Sequence, residues 1–223
     1  MISQNAPSLR LRIVNMLSEA EIYKRALKAI EEVYVWSEYG DNDLYRIKDI
    51  VHSLDDNHWF SKRWLVDKVE QFIGDDPYDV GIFGGWYGLL AHLFEERGVK
   101  NPMSLDVDEM ATTIGSRIFG WDSINWETQD MFEYDNRQFD VIVNTSCEHL
   151  DRDKLCEWIS SFKNGEMFAL QSNDYFEEMS HINCSKSAEE FAVYIKEALP
   201  QKEILFQGTM PNSMFDRFMI IGK

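Results

Sequence analysis

Five short stretches of this 223-residue chain carry residue types that chemistry uses. In the first, Val80-Gly81-Ile82-Phe83-Gly84-Gly85-Trp86-Tyr87-Gly88, a glycine-rich turn joins an apolar run to the pattern Leu-Leu-Ala-His-Leu-Phe. Glycine in such a turn permits positive φ and lets a ligand touch the backbone. The helix that follows offers free N–H groups and a positive dipole end. Packing alone also explains such a turn. In the second stretch, Asp106 ends the run Met103-Ser104-Leu105, 18 residues beyond Gly88. A carboxylate at a strand end accepts hydrogen bonds from ribose hydroxyls. Asp108, two positions on, reads instead as a helix cap. The third stretch is Glu127-Thr-Gln-Asp130-Met131-Phe132. The fourth is Phe139-Asp-Val-Ile-Val-Asn144-Thr-Ser-Cys147-Glu148-His149-Leu150, with an acid–base pair directly after an apolar run. The fifth holds Asn173-Asp174-Tyr175 and then His181-Ile-Asn-Cys184. His181 and Cys184 have no further metal partner within reach of the sequence pattern, so no metal is expected.

The elements that must position these residues alternate. Short apolar runs at Val80–Phe83, Met103–Leu105, Ile124–Thr128, Phe139–Asn144 and Met167–Gln171 read as strands. Helical stretches separate them: Trp86 to Gly98, Glu109 to Phe119, Asp151 to Phe162 (followed by Asn164-Gly165) and Ser187 to Leu199. Glu203–Gln207 and Arg217–Ile221 close the chain as two strands with no helix between them. Strand–helix alternation predicts right-handed βαβ units and a parallel sheet, and the last two strands must pair antiparallel. The predicted fold is therefore α/β: a doubly wound, mostly parallel seven-stranded sheet with a C-terminal antiparallel hairpin. Residues 1–75 add an N-terminal helical cap, and 76–223 form the sheet domain. In the cap, Ser18 and Glu21 read as a capping box opening a helix up to about Trp36. Tyr39-Gly40-Asp41-Asn42 reads as a break, Asp43 to His52 as a second helix and Trp59 to Phe72 as a third. Gly74-Asp75-Asp76-Pro77 ends the cap. The stripe Trp64, Leu65, Val69 and Phe72 must find apolar cover on the sheet domain, which predicts that the cap folds over the carboxyl edge of the sheet. Trp59 and Phe60 are expected to reach that edge.

The ordered set of glycine turn, acidic strand end, Gln-Asp-Met and "FDVIVNTSCEHL", with the final "FDRFMIIGK", resembles the class I S-adenosylmethionine-dependent methyltransferases over roughly Tyr78 to Lys223. The resemblance implies strand order 3-2-1-4-5-7-6, S-adenosylmethionine as cofactor, and methyl transfer as the activity. It places Gly84, Gly85 and Gly88 along the amino-acid part of the cofactor, with Trp86 opening the helix beside it. Asp106, with Val107 next to it, meets the ribose. Asp130 accepts from the adenine amino group, with Met131 beside the ring, and Asn144 sits next to the sulfonium. Two departures stand out. The family usually carries an acidic residue where Ile82 stands, and it usually reads G-x-G-x-G. A non-catalytic relative is thus the alternative. Glu148, His149 and Asp174 lie on the rim where substrates bind in open α/β sheets and are the catalytic candidates.

Charge narrows the acceptor. The net charge is −17, of which residues 1–75 hold −3 and residues 76–223 hold −14. Such a surface repels phosphate backbones. A small-molecule acceptor is expected, and nucleic acid is not. Nucleic-acid methylation through His58-Trp59-Phe60-Ser61-Lys62-Arg63-Trp64 is the runner-up, since interleaved bases and aromatics can stack nucleotides. An amphipathic packing helix is the plainer account of that segment. No apolar run approaches the ~18 residues that span a bilayer. No apolar leader precedes Leu11, and the three cysteines Cys147, Cys156 and Cys184 form no framework. A cytoplasmic protein with reduced thiols is expected.

Overall fold

The computed structural model describes residues 9–36, 43–74, 76–163 and 166–223, with the side chains of residues 9–17, 35, 36 and 43 left aside. The expected break at Tyr39–Asn42, and Asp75 and Asn164-Gly165, lie outside the described residues. Seven strands form one sheet in the order β3-β2-β1-β4-β5-β7-β6. They are β1 Val80–Phe83, β2 Met103–Asp106, β3 Asn125–Thr128, β4 Val141–Asn144, β5 Met167–Asn173, β6 Ile204–Pro211 and β7 Asp216–Gly222. Neighbours among β1 to β5 pair in parallel, and β7 runs antiparallel to both β5 and β6. The expected topology and terminal hairpin are both present.

The strands are short and covered on both faces, as parallel strands between two helical layers must be. Successive residues alternate between two apolar clusters. Val80 and Ile82 of β1, Val141 and Val143 of β4, and Met167 and Ala169 of β5 face one cluster. Phe83, Ile142, Phe168 and Leu170 face the other. Helices α6 (Arg152–Ser160) and α7 (Ala188–Ala198) cover the second face. Helices α4 (Leu89–Glu96) and α5 (Glu109–Phe119) cover the first.

The N-terminal helices α1 (Leu9–Trp36), α2 (Asp43–Ser53) and α3 (Asp56–Ile73) join that first cluster directly. Ile22, Ala26, Ala29 and Val33 of α1 are buried at helical spacing, and α3 buries Trp59, Leu65, Val66 and Val69. The α3 stripe finds its cover where expected, with Trp64 and Phe72 against Phe206 of β6 at ring distances of 6.0 and 6.3 Å. The cap therefore shares its core with the sheet.

Three helix starts differ from the sequence expectation, α3 opening three residues early at Asp56 behind the Asp55 cap. Helix α1 begins at Leu9, so Ser18 and Glu21 lie within it and form no capping box. Ser18 instead donates to Glu96 across the α1–α4 contact. Helix α4 begins at Leu89 instead of Trp86, because Trp86 (φ 51°) and Gly88 (φ 84°) are left-handed and cannot belong to a right-handed helix. On α3, Trp59 is buried and its indole carries the Arg63 guanidinium 4.8 Å from the ring centre. It is packing, whereas the neighbouring Phe60 is exposed.

Candidate functional site

In a parallel sheet the loops after the strands share one edge, and open α/β sheets bind ligands there. Here that edge gathers the glycine turn after β1, Asp106 at the end of β2, Asp130 after β3, Asn144 to His149 after β4, and Asn173 onward after β5. Because β7 is antiparallel, its first residues return to the same edge, and Arg217 lies opposite Asn173. Helix α3 lies across it from above. The Lys62 ammonium donates to Thr145 Oγ1 at 2.5 Å, and Gln171 donates to the Ser61 carbonyl.

The glycine turn is built by close approach. Gly84 and Gly85 both donate to the Leu105 carbonyl, at 2.9 and 2.8 Å, which ties the turn to β2. A Cβ at Gly85 would stand 2.2 Å from Ser104 Oγ, and one at Gly88 would stand 2.2 Å from the Trp126 ring. Packing and the φ of +84° thus account for Gly88. Trp86 is the only non-glycine of this turn with positive φ, a conformation costing about 1–3 kcal/mol. It turns its N–H onto Asp106 Oδ2 at 2.7 Å. The indole packs beside His58, with ring centres 5.5 Å apart. Trp86 thus ties the turn to Asp106 by its backbone and packs on the cap by its ring.

Asp106 takes a second amide, that of Asp108, on Oδ1 at 3.0 Å. Burial pushes its carboxyl upward from the ordinary range, against the pull of these backbone donors. Asp108 behaves as the cap it was read to be. It accepts from Met110 and Ala111 at the start of α5, and it pairs with Arg46 of α2 at 2.6 Å. Val107 is exposed beside it. Asp130 is exposed and caps a short 3-10 turn, Met131–Glu133, by accepting from Phe132 N. Met131 is buried under that turn, and Asn144 Nδ2 lies 3.5 Å from its sulfur. Asn144 is fully buried, donates to the Phe83 carbonyl and accepts from Ser146 N. Its amide is spent joining β1 to β4.

The catalytic candidates divide. Asp174 Oδ1 accepts from Asp216 N at 2.7 Å and so splices β5 to β7. Glu148 is buried, and its Oε1 accepts from Asn173 at 2.6 Å and from Arg217 at 2.8 Å. His149 is exposed, with Nδ1 against the Ser180 carbonyl, and its ring meets that of His181 at 4.5 Å. The loop 174–187 folds back over Glu148, whose carbonyl accepts from both Ile182 and Asn183.

Lys62 and Arg217 were not singled out from the sequence. Burial drives the Lys62 amine down to about 7, the Arg217 charge pushes the same way, and Glu148 opposes. Helical period alone placed Lys62 in a packing segment. The one sequence signal was its place among His58, Trp59 and Arg63. Arg63 itself is paired with Glu19 at 2.5 Å.

No protein-family model matches the chain, and no curated protein sequence matches it. Solved structures do match. A Burkholderia thailandensis 1,6-didemethyltoxoflavin-N1-methyltransferase, crystallised with 1,6-didemethyltoxoflavin and S-adenosylhomocysteine, superposes with TM-score 0.59 at 14% identity, over 82% of this chain and 90% of its own. The magnesium protoporphyrin IX methyltransferase of Synechocystis PCC 6803, with bound SAM, gives TM-score 0.57 at 15% identity over 98% of this chain and 99% of its own. An S-adenosylmethionine-dependent methyltransferase from Clostridium acetobutylicum ATCC 824 gives 0.57 at 16%, over 82% and 98%. At these identities the likeness is one of fold.

Proposed function

We propose that this chain, whose fold is that of the class I S-adenosylmethionine-dependent methyltransferases, transfers a methyl group from S-adenosylmethionine to a small-molecule acceptor. The observation that carries it is the convergence, on one sheet edge of order 3-2-1-4-5-7-6, of the glycine turn, the desolvated Asp106 carboxylate and a polar network under α3. The residues fit the nucleoside half of the cofactor. Asp106 is a half-buried acceptor suited to ribose hydroxyls, with exposed Val107 beside it, and exposed Asp130 is free to accept from an adenine amino group. The methionine half fits less well, since Ile82 is a core residue and Asn144 is fully engaged. When bound, the cofactor supplies an electrophilic methyl group.

The chain's own residues then do three things. Helix α3 screens the edge from water. Arg217 holds Glu148 and the Thr145 carbonyl in place. The Lys62 amine, lowered to about 7 and so in part unprotonated near neutral pH, is placed to take a proton from an acceptor hydroxyl or amine. A small acceptor suits the net charge of −17. It also suits the engagement of Lys62 with Thr145 and of Arg63 with Glu19, which occupies both cations within the protein. Three free thiols favour a cytoplasmic setting, and no helix among the described residues is long and apolar enough to cross a membrane.

A second reading, cofactor binding without turnover, is favoured by Ile82 and by the Trp86 N–H that already occupies Asp106. Thermal denaturation tests the shared premise. S-adenosylhomocysteine at ~100 times its dissociation constant should add about 2.7 kcal/mol of stability, and NADH none. An unchanged melting temperature at millimolar S-adenosylhomocysteine overturns both readings.

A further inference from the structure

The sequence offered His181 no metal partner. The fold supplies two, because the loop after β5 lies against the turn after β4. One ring nitrogen each of His149 and His181 and a carboxylate oxygen of Glu148 lie within 4.8 Å of one another. We propose that these three residues form a binding site for a divalent first-row transition-metal ion.

Three observations support it. First, the hydrogen bonds fix both histidines in the tautomer that a metal ligand needs. His149 Nδ1 lies 3.2 Å from the Ser180 carbonyl, and His181 Nδ1 lies 2.9 Å from the Tyr175 carbonyl. A carbonyl only accepts, so each Nδ1 carries the proton and each Nε2 presents a lone pair. Second, Glu148 is 2% exposed, yet its Oε2 is buried with no hydrogen-bond partner. A buried carboxylate oxygen without a donor is costly, and a cation removes that cost. Third, the two ligand-bearing segments are braced together. Ile182 N and Asn183 N each donate to the Glu148 carbonyl at 2.9 Å, and Asn183 Nδ2 donates to the Cys147 carbonyl.

The neighbouring charges are mixed. Arg217 neutralises one face of Glu148 through Oε1 and leaves Oε2 to the ion. Lys62 donates to Thr145 Oγ1, not to Glu148, and the Glu178 carboxylate acts on both imidazoles.

Two imidazoles and one carboxylate suit Zn²⁺, Mn²⁺, Fe²⁺ or Co²⁺ over the oxygen-only preference of Ca²⁺. Metal–ligand bonds of about 2.0–2.2 Å put ligand atoms roughly 3–3.5 Å apart. The cluster must therefore draw in by about an ångström. Three protein ligands leave open positions, as catalytic sites do. On the methyl-transfer reading, and only there, an open position would hold the acceptor's oxygen at the sheet edge.

The test is titration of the full chain, stripped with chelator, with Co²⁺. The site predicts visible d–d absorption saturating at one ion per chain, displaced by Zn²⁺. His149→Asn and His181→Asn should each weaken it at least about tenfold. His58→Asn should leave it unchanged; His58 belongs to a second cluster with His52 and Asp55. No absorption at millimolar Co²⁺ overturns the site. So does absorption lost in His58→Asn and retained in both other variants. S-adenosylhomocysteine binding by the same samples separates the two proposals. Ligand binding with no cobalt signal overturns the metal site alone, and a cobalt signal without ligand binding overturns methyl transfer alone.

Discussion

Lys62 shows how one residue's surroundings set its chemistry. An ordinary lysine holds its proton to about pH 10.4. In the fold, burial and Arg217 lower that to about 7. Between these values the unfolded chain binds a proton that the folded chain does not, so the lysine's contribution makes stability rise as pH rises. Comparing urea midpoints of wild type and Lys62→Met should show the wild type gaining on the variant from pH 7 to pH 10. Parallel profiles would mean that the amine stays charged in the fold. Little of this was legible in the sequence. The segment His58 to Trp64 has helical period whichever way Lys62 points, and only the packing of α3 over Thr145 turns it inward. His181 was illegible for a related reason, since its neighbours come from another loop. Asp106 and Asp108 were separable, because a strand end and a helix cap leave different local patterns.

At the scale of elements, the strands and their order were legible because two-sided burial writes short apolar runs into the sequence. Helix starts were less so. The Ser18–Glu21 spacing fits a cap in isolation, but α1 begins upstream and absorbs it. Trp86 looks like the first residue of a helix until its backbone turns left-handed to reach Asp106. Helix α3 was expected to bring Trp59 to the acceptor. Instead it turns Lys62 onto Thr145 at the sheet edge, and Trp59 is buried in the apolar cluster that the cap shares with the sheet. Trp59→Ala should therefore cost about 3–5 kcal/mol in chemical denaturation, with cofactor affinity nearly unchanged. A stable variant with impaired acceptor turnover would restore the indole to the pocket.

The whole molecule is acidic, with net charge −17 and a sequence pI near 4.6. Shared burial of α1 to α3 with the sheet makes cap and sheet edge one packed body, so whatever binds at the edge also meets α3. Duplex DNA should bind weakly at physiological salt, and any binding should fall steeply between about 50 and 200 mM salt as counterions are released. A sub-micromolar duplex complex in a fluorescence-anisotropy titration would contradict this. The central claim is that the sheet edge holds S-adenosylmethionine through Asp106. It is tested most directly by calorimetric titration of wild type, Asp106→Ala and Asp108→Ala with S-adenosylhomocysteine. Wild type should bind one ligand per chain. Asp106→Ala should bind roughly tenfold to a hundredfold more weakly, through loss of a charged acceptor worth about 1.5–3 kcal/mol. Asp108→Ala should bind nearly as wild type. No heat of binding in wild type, or equal losses in the two variants, would contradict the account.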